Sequence, residues 1–154
     1  MSQSCFTPPA GGRSAPLKTG DLLLILENGS QFEPILTNYS SSFDAPTFAQ
    51  HLNKLLKPRS ITAAQLGELA LVSRAFSYQL CSGVRQPSRD IVLRLAVVLK
   101  LTTDEAQRLL RSAQRGALYP KVRRDAAIIF ALNQKLSLLD TDELLRSQDE
   151  EPLL

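Results

Sequence analysis

The sequence predicts an all-α protein, and three observations carry that prediction. From Phe48 onward apolar residues recur three and four positions apart, the spacing of one helix face. Ser or Thr stands ahead of several of these runs, where a side-chain oxygen can cap the first free N–H groups. No stretch alternates apolar and polar residues as a half-buried strand would.

Residues 1–19 mix Pro, Gly and Ser without periodicity and predict a disordered segment. Asp21 to Glu27 reads as a short apolar helix, broken by Gly29 and Ser30, and Phe32, Ile35 and Leu36 start a second. The polar run NYSSSF from Asn38 connects them onward, so residues 20–45 form a short helical lead-in. Phe48, Leu52, Leu55 and Leu56 make the next helix, which Pro58 is expected to stop. Thr62 is placed to cap a helix with Leu66, Leu69 and Ala70 on one face. Ser73 caps the following one, which ends at Gly83, a residue suited to a left-handed C-terminal position. Pro87-Ser88 opens a helix through Ile91, Leu93, Leu95 and Leu99. Thr102 and Glu105 form a capping box, flanked by Leu101 and Ala106, and that helix fades near Gly116. After Tyr119-Pro120, Asp125 to Gln134 carries Ala127, Ile128, Ala131 and Leu132 on one face. Asp140 and Glu143 are expected to cap the last helix, with Leu139 and Leu144 at staple spacing. Residues 46–116 thus form the main domain, 117–148 a two-helix C-terminal extension packed on it, and 149–154 an acidic tail.

The 154 residues allow one well-buried core with a tail or two. No apolar run approaches the ~20 residues that span a bilayer, Leu22 to Leu26 being only five long, so no membrane role is expected. Cys5 and Cys81 have no second pair, which argues against a zinc site or a disulfide framework and for a reducing cytoplasm. The single histidine, His51, has no Cys or Ser nucleophile in a recognisable motif, and Gly11-Gly12 lacks the Lys-Ser/Thr of a phosphate loop. Neither an enzyme, a cofactor nor a metal is therefore expected. Charge is uneven: between Lys54 and Arg124, fourteen Lys and Arg stand against four Asp and Glu, an excess of ten. From Asp125 the balance turns acidic. A basic body fits a polyanion-binding surface, although solvated helices also carry such charge.

The segment from Ile61 to Ser88 has two short amphipathic runs, a turn of a few residues, then Gly83, Arg85 and Pro87. That is the layout of a helix-turn-helix whose second helix enters the major groove. Ile61, Thr62, Leu66-Gly67, Leu71-Val72-Ser73, the run Arg74 to Ser82, Gly83, Arg85 and Pro87 resemble the lambda-repressor-like (Cro/repressor) family, through Leu95, Leu99, Leu101, Asp104 and Glu105. The resemblance covers about residues 46–114. Tyr78-Gln79-Leu80, Ser82-Gly83, Pro87 to Asp90, and Leu118-Tyr119-Pro120 with Arg124-Asp125 and Ile128 to Leu132 look like a narrower subgroup of bacterial proteins with a short helical C-terminal extension. What the resemblance implies is a five-helix DNA-binding domain. The chain departs from the family pattern at Ala63, where a phosphate-binding Gln is common, at Leu71, in place of the tight-turn Gly, and at Ser77, in place of a buried aliphatic residue. Phe76 or Tyr78 is expected to turn inward to fill the last gap.

On this reading Arg74, Ala75, Tyr78 and Gln79 face the bases: Arg74 suits guanine, Gln79 adenine, and Ala75 a thymine methyl group. Ser73, Ser82 and Arg85 stand where the family grips phosphate, with Lys57 and Arg59 extending the footprint. Arg89 pairs either with Asp90 or with a neighbouring helix. The partner is double-stranded DNA, and a transcriptional regulator reading two half-sites is expected to be a homodimer. Ile128 to Leu145 is the candidate dimer surface, with packing on its own domain as the alternative. A second functional reading is an adaptor that keeps the helix-turn-helix scaffold, binds a protein partner and no longer reads DNA.

Overall fold

The computed structural model describes residues 17–43 and 45–154, and among them every regular element is helical. Most of the disordered segment expected at residues 1–19 lies outside the described residues. The chain divides into two units, Met1–Ala45 and Pro46–Leu154.

In the first unit α1 spans Thr19–Asn28 and α2 spans Phe32–Asn38, followed by a 3-10 turn at Ser40–Ser42. Gly29 lets them meet, because a Cβ there would collide with the Ile35 side chain. Leu17 N donates to Ser42 Oγ at 3.0 Å, and Phe32 and Phe43 pack edge to face with centroids 6.3 Å apart. Neither α1 nor α2 contains a buried residue.

The second unit holds seven helices: α3 (Phe48–Arg59), α4 (Ala63–Ala70), α5 (Arg74–Ser82), α6 (Arg89–Val98), α7 (Thr103–Ser112), α8 (Arg123–Asn133) and α9 (Leu138–Ser147). Their apolar faces converge on one core, including Phe48, Leu52, Leu66, Leu80, Leu93, Leu95, Leu109, Leu110, Ile128 and Leu145. Each such side chain contributes about 2 kcal/mol of transfer free energy. The starts of α4, α5, α6 and α7 follow the sequence: Thr62, Ser73, Ser88 and Thr102 each accept an N–H from the first turn. Thr47 with Gln50 and Thr62 with Gln65 close reciprocal capping boxes that the sequence reading did not anticipate.

The ends differ more. Pro58 does not stop α3 but lies inside its last turn, and the helix closes at Ser60 with φ 53°. The last helix is capped by Ser137, whose Oγ accepts the Asp140 N–H, not by Asp140 and Glu143. That frame buries Leu138 and Leu145 and leaves Leu139 exposed, so the expected staple does not form. Ser60, Leu71, Lys100, Gln114, Lys135 and Asp149 all adopt positive φ where glycine is the usual choice. At all six ends the next N–H bonds five residues back: Ile61 to Leu56 O, Val72 to Gly67 O, Leu101 to Ala96 O, Arg115 to Leu110 O, Leu136 to Ala131 O and Glu150 to Leu145 O. These bonds satisfy carbonyls that a helix end otherwise leaves free.

Residues 149–154, read as an acidic tail, fold back instead. Leu153 is 2 % exposed, and its N–H and that of Leu154 donate to the two carboxylate oxygens of buried Asp142, at 2.7 and 3.1 Å. Arg94 Nε donates to Leu153 O, and Arg124 donates to Glu151 O and Pro152 O. Arg89 grips Asp125 through both its terminal nitrogens, at 3.1 and 3.0 Å, and donates to Gly116 O and Ala117 O. This settles its partner: a neighbouring helix, with Asp90 taken by Arg124 at 2.9 Å.

Candidate nucleic-acid interface

The geometry of α5 is set by what its inner face can tolerate. Ser77 and Leu80 are both fully buried. Ser77 Oγ donates to Ala63 O at 2.6 Å, and a Cβ built on Gly67 would lie 3.2 Å from Ser77 Cβ. Two small residues therefore let α4 and α5 approach closely, with the buried hydroxyl satisfied. The expected inward rotation is not seen in Tyr78, which is 49 % exposed, and Phe76 is only half-buried against the core. Ser77 sits directly against the other helix and leaves no gap to fill. The turn joining the helices passes through Leu71 at φ 56°, in the left-handed conformation that glycine adopts most readily.

The opposite face of α5 is open. Arg74, Ala75 and Tyr78 are exposed and Gln79 half-exposed, and positions i, i+1, i+4 and i+5 share one side of a helix. The Arg74 guanidinium lies 5.8 Å from the Tyr78 ring centroid, and that of Arg85 lies 5.5 Å from Phe76. Arg85 also donates to Gln79 Oε1 at 3.4 Å, and a Gln amide nitrogen carries two further donors. Ser73 Oγ accepts the Phe76 N–H and Ser82 Oγ donates to Gln79 O, so each keeps hydrogen-bonding capacity toward solvent.

Of the predicted phosphate contacts, Ser73, Ser82 and Arg85 flank this face, and Lys57 is exposed on α3. Arg59 is already engaged: it donates to Leu99 O and Leu55 O and lies 3.7 Å from Glu105. Among the described residues Arg74 and Arg85 have no acidic partner, whereas Arg59, Arg89 and Arg124 do. Glu68 is the only acidic residue between positions 46 and 89, against six Lys and Arg. Part of the basic excess counted in the sequence is thus engaged inside the fold, and Arg74 and Arg85 beside α5 are among the cations without an acidic partner among the described residues.

A cleft of about 410 Å³ adjoins this face, lined by Thr47, Asn53, Cys81, Ser82, Arg85 and Gln86 among others. Asn53 Nδ2 spans it to Cys81 O at 2.9 Å. Burial raises the Cys81 thiol pKa, which keeps it protonated. The sequence reading missed this cleft, whose only outward sign is the Thr47–Gln50 capping pair. It also missed Leu69, Leu71 and Val84, all exposed around the turn and the loop after α5.

The candidate dimer surface goes the other way: Ile128, Ala131, Leu132 and Leu145 are buried within their own unit. Among the described residues no group of three His, Cys, Asp or Glu is placed to hold a metal, and no helix is long and apolar enough to cross a membrane. No protein family, curated protein or solved structure matched the chain.

Proposed function

We propose that this protein is a DNA-binding transcriptional regulator of the lambda-repressor-like, helix-turn-helix kind, with α4 and α5 as the motif and α5 as the helix that enters the major groove. The observation that carries the reading is the outer face of α5. Arg74, Ala75, Tyr78 and Gln79 project from a helix whose other side is locked by Ser77 and Leu80, and Arg85 beside them has no acidic partner among the described residues. A major groove about 12 Å wide admits such a helix, and Arg and Gln are the side chains that make paired hydrogen bonds to guanine and adenine. Arg74 stands in the first turn of α5, where the helix dipole disfavours a cation and a contacting DNA oxygen relieves it. Arg85 and Ser82, at the rim of the cleft, are in position for the phosphates on one side of the groove.

Selection of bound duplexes from a random pool, followed by sequencing, tests the proposal. It predicts a recovered motif, loss of preference at one base pair in Arg74→Ala, and uniformly weaker binding in Arg85→Ala. Equal binding by both variants and the parent protein would remove α5 from the interface. One observation favours a second reading, the protein-binding adaptor: Leu69, Leu71, Tyr78 and Val84 form an exposed apolar border around the same helix. An adaptor would give no recovered motif and would bind its partner with little dependence on salt.

A further inference from the structure

We infer that Tyr78 and Phe76 are positioning residues, each holding one arginine of the α5 face over its ring with the guanidinium edge free for DNA. Their role rests on the DNA-binding reading of α5 and deepens it, since both would act through Arg74 and Arg85.

Arginines in this fold are held in two different ways. Arg59, Arg89 and Arg124 lie against carboxylates. Arg89 engages Asp125 with both terminal nitrogens, so its charge is compensated and its donors are occupied. Arg74 and Arg85 instead lie 5.8 Å from the Tyr78 ring centroid and 5.5 Å from that of Phe76. Neither has an acidic partner among the described residues. A ring attracts the flat face of a guanidinium through its quadrupole, and it takes up neither the edge N–H groups nor the charge. That edge is what makes paired hydrogen bonds to guanine and to phosphate.

Helix geometry builds each of these rests. Arg74 and Tyr78 stand at positions i and i+4 of α5, so they are neighbours on its surface. Long helical side chains lean toward the N-terminus, which carries the Tyr78 ring back to the turn that holds Arg74. Arg85 arrives from beyond the helix. Gly83 turns the chain at φ 83°. The Arg85 backbone N–H then donates to Gln79 O at 3.3 Å, and its guanidinium donates to Gln79 Oε1 at 3.4 Å. Phe76 and Gln79 are three positions apart on one side of the helix, so the two bonds to Gln79 bring Arg85 to the Phe76 ring. Phe76 packs against the core on its inner side and is therefore a fixed support. An arginine that is free in solution loses rotamer freedom on binding; one already resting on a ring loses less, and the difference appears as affinity.

The test uses the full chain with a pool of random-sequence duplexes and reads base preference and affinity, with NMR spectra of the DNA-free protein beside them. Tyr78→Leu should weaken preference at the same base pair as Arg74→Ala, by about two- to fivefold, and should add nothing in an Arg74→Ala background. Phe76→Leu keeps an apolar contact with the core. It should weaken binding to every duplex by about the same factor and add nothing to Arg85→Ala. Tyr78→Phe and Phe76→Tyr keep the rings and should bind as the parent does, a rescue that a merely structural role would not give. Without DNA, the side-chain protons of Arg74 and Arg85 should show upfield ring-current shifts that disappear in the leucine variants. Lost preference at a different base pair, losses that add to those of the arginine variants, leucine variants that bind like the parent, or absent ring-current shifts would each overturn the positioning roles while leaving α5 in the groove. No duplex binding by the parent would overturn the reading of α5 itself, and the positioning roles with it.

Discussion

Ser77 and Gly67 set the distance between α4 and α5, and a larger residue at either position has to push them apart. Ser77→Leu should destabilise the fold by about 2–3 kcal/mol through overpacking, read as a lower denaturant midpoint with unchanged slope. The sequence alone marks Ser77 as a small polar residue at an inner position of its helix. It does not show the compensating partner, because the Ala63 carbonyl that accepts its hydroxyl is fourteen positions away. His51 makes a separate residue-scale claim. Partial burial lowers its pKa from the ordinary 6.5; Lys54 and Arg108 push the same way, and Glu105 opposes them. The folded chain therefore resists a proton that the unfolded chain accepts first. Stability attributable to His51 is complete above pH 6.5 and is lost as pH falls through its lowered value. Chemical denaturation from pH 8 to 5 should show a decline that is shallower in His51→Gln. An equal decline in both would assign it to other groups.

At the scale of elements, helix starts and helix ends differ in kind. A Ser or Thr cap acts on N–H groups two or three residues away, so Thr62, Ser73, Ser88 and Thr102 announce their helices locally. The ends use left-handed Ser, Leu, Lys, Gln and Asp residues, which carry no such signature. Each costs about 1 kcal/mol relative to glycine, but only some are repaid. Lys100 Nζ donates to Lys135 O and Leu136 O, while Lys135 Nζ donates to Lys100 O and Leu101 O. The C-terminal ends of α6 and α8 thus cap each other with an ammonium group. Leu71 makes no comparable contact and is 57 % exposed. Leu71→Gly should therefore stabilise the protein by about 0.5–1 kcal/mol, whereas Lys100→Gly should be neutral or destabilising, since charge-assisted bonds offset the strain. Thermal denaturation of the two variants side by side checks the contrast; stabilisation by both would dismiss the reciprocal cap.

Within the second unit, the C-terminal extension is fastened to the preceding helices by groups far apart in sequence. This is why the tail's role was illegible. Residues 149–154 look like solvated acid by composition, but Leu153 fills a core position and Asp142 receives the chain's last backbone N–H groups. Leu153→Ala should cost about 3 kcal/mol, as other buried leucine truncations do. Arg89→Ala should cost a similar amount by leaving the buried Asp125 carboxylate without its cation. Both are readable in denaturant titration. The same contacts explain why net charge alone overstated the free basic surface: Arg59, Arg89, Arg94, Arg115 and Arg124 serve the fold. The outer side of α5, with Arg74, Ala75, Tyr78 and Gln79, was legible because helical spacing alone places these residues on one face. The measurement that bears most directly on the proposed role is duplex DNA affinity as a function of salt. With phosphate contacts from Ser73, Ser82, Arg85 and Lys57, only the two cations release counterions, so a single module should give a log–log slope near −2, or about −4 for a dimer. Arg85→Ala should flatten the slope by about one unit per module. A duplex affinity that does not change between 50 and 200 mM salt, or no duplex binding at the lower salt, would contradict the account.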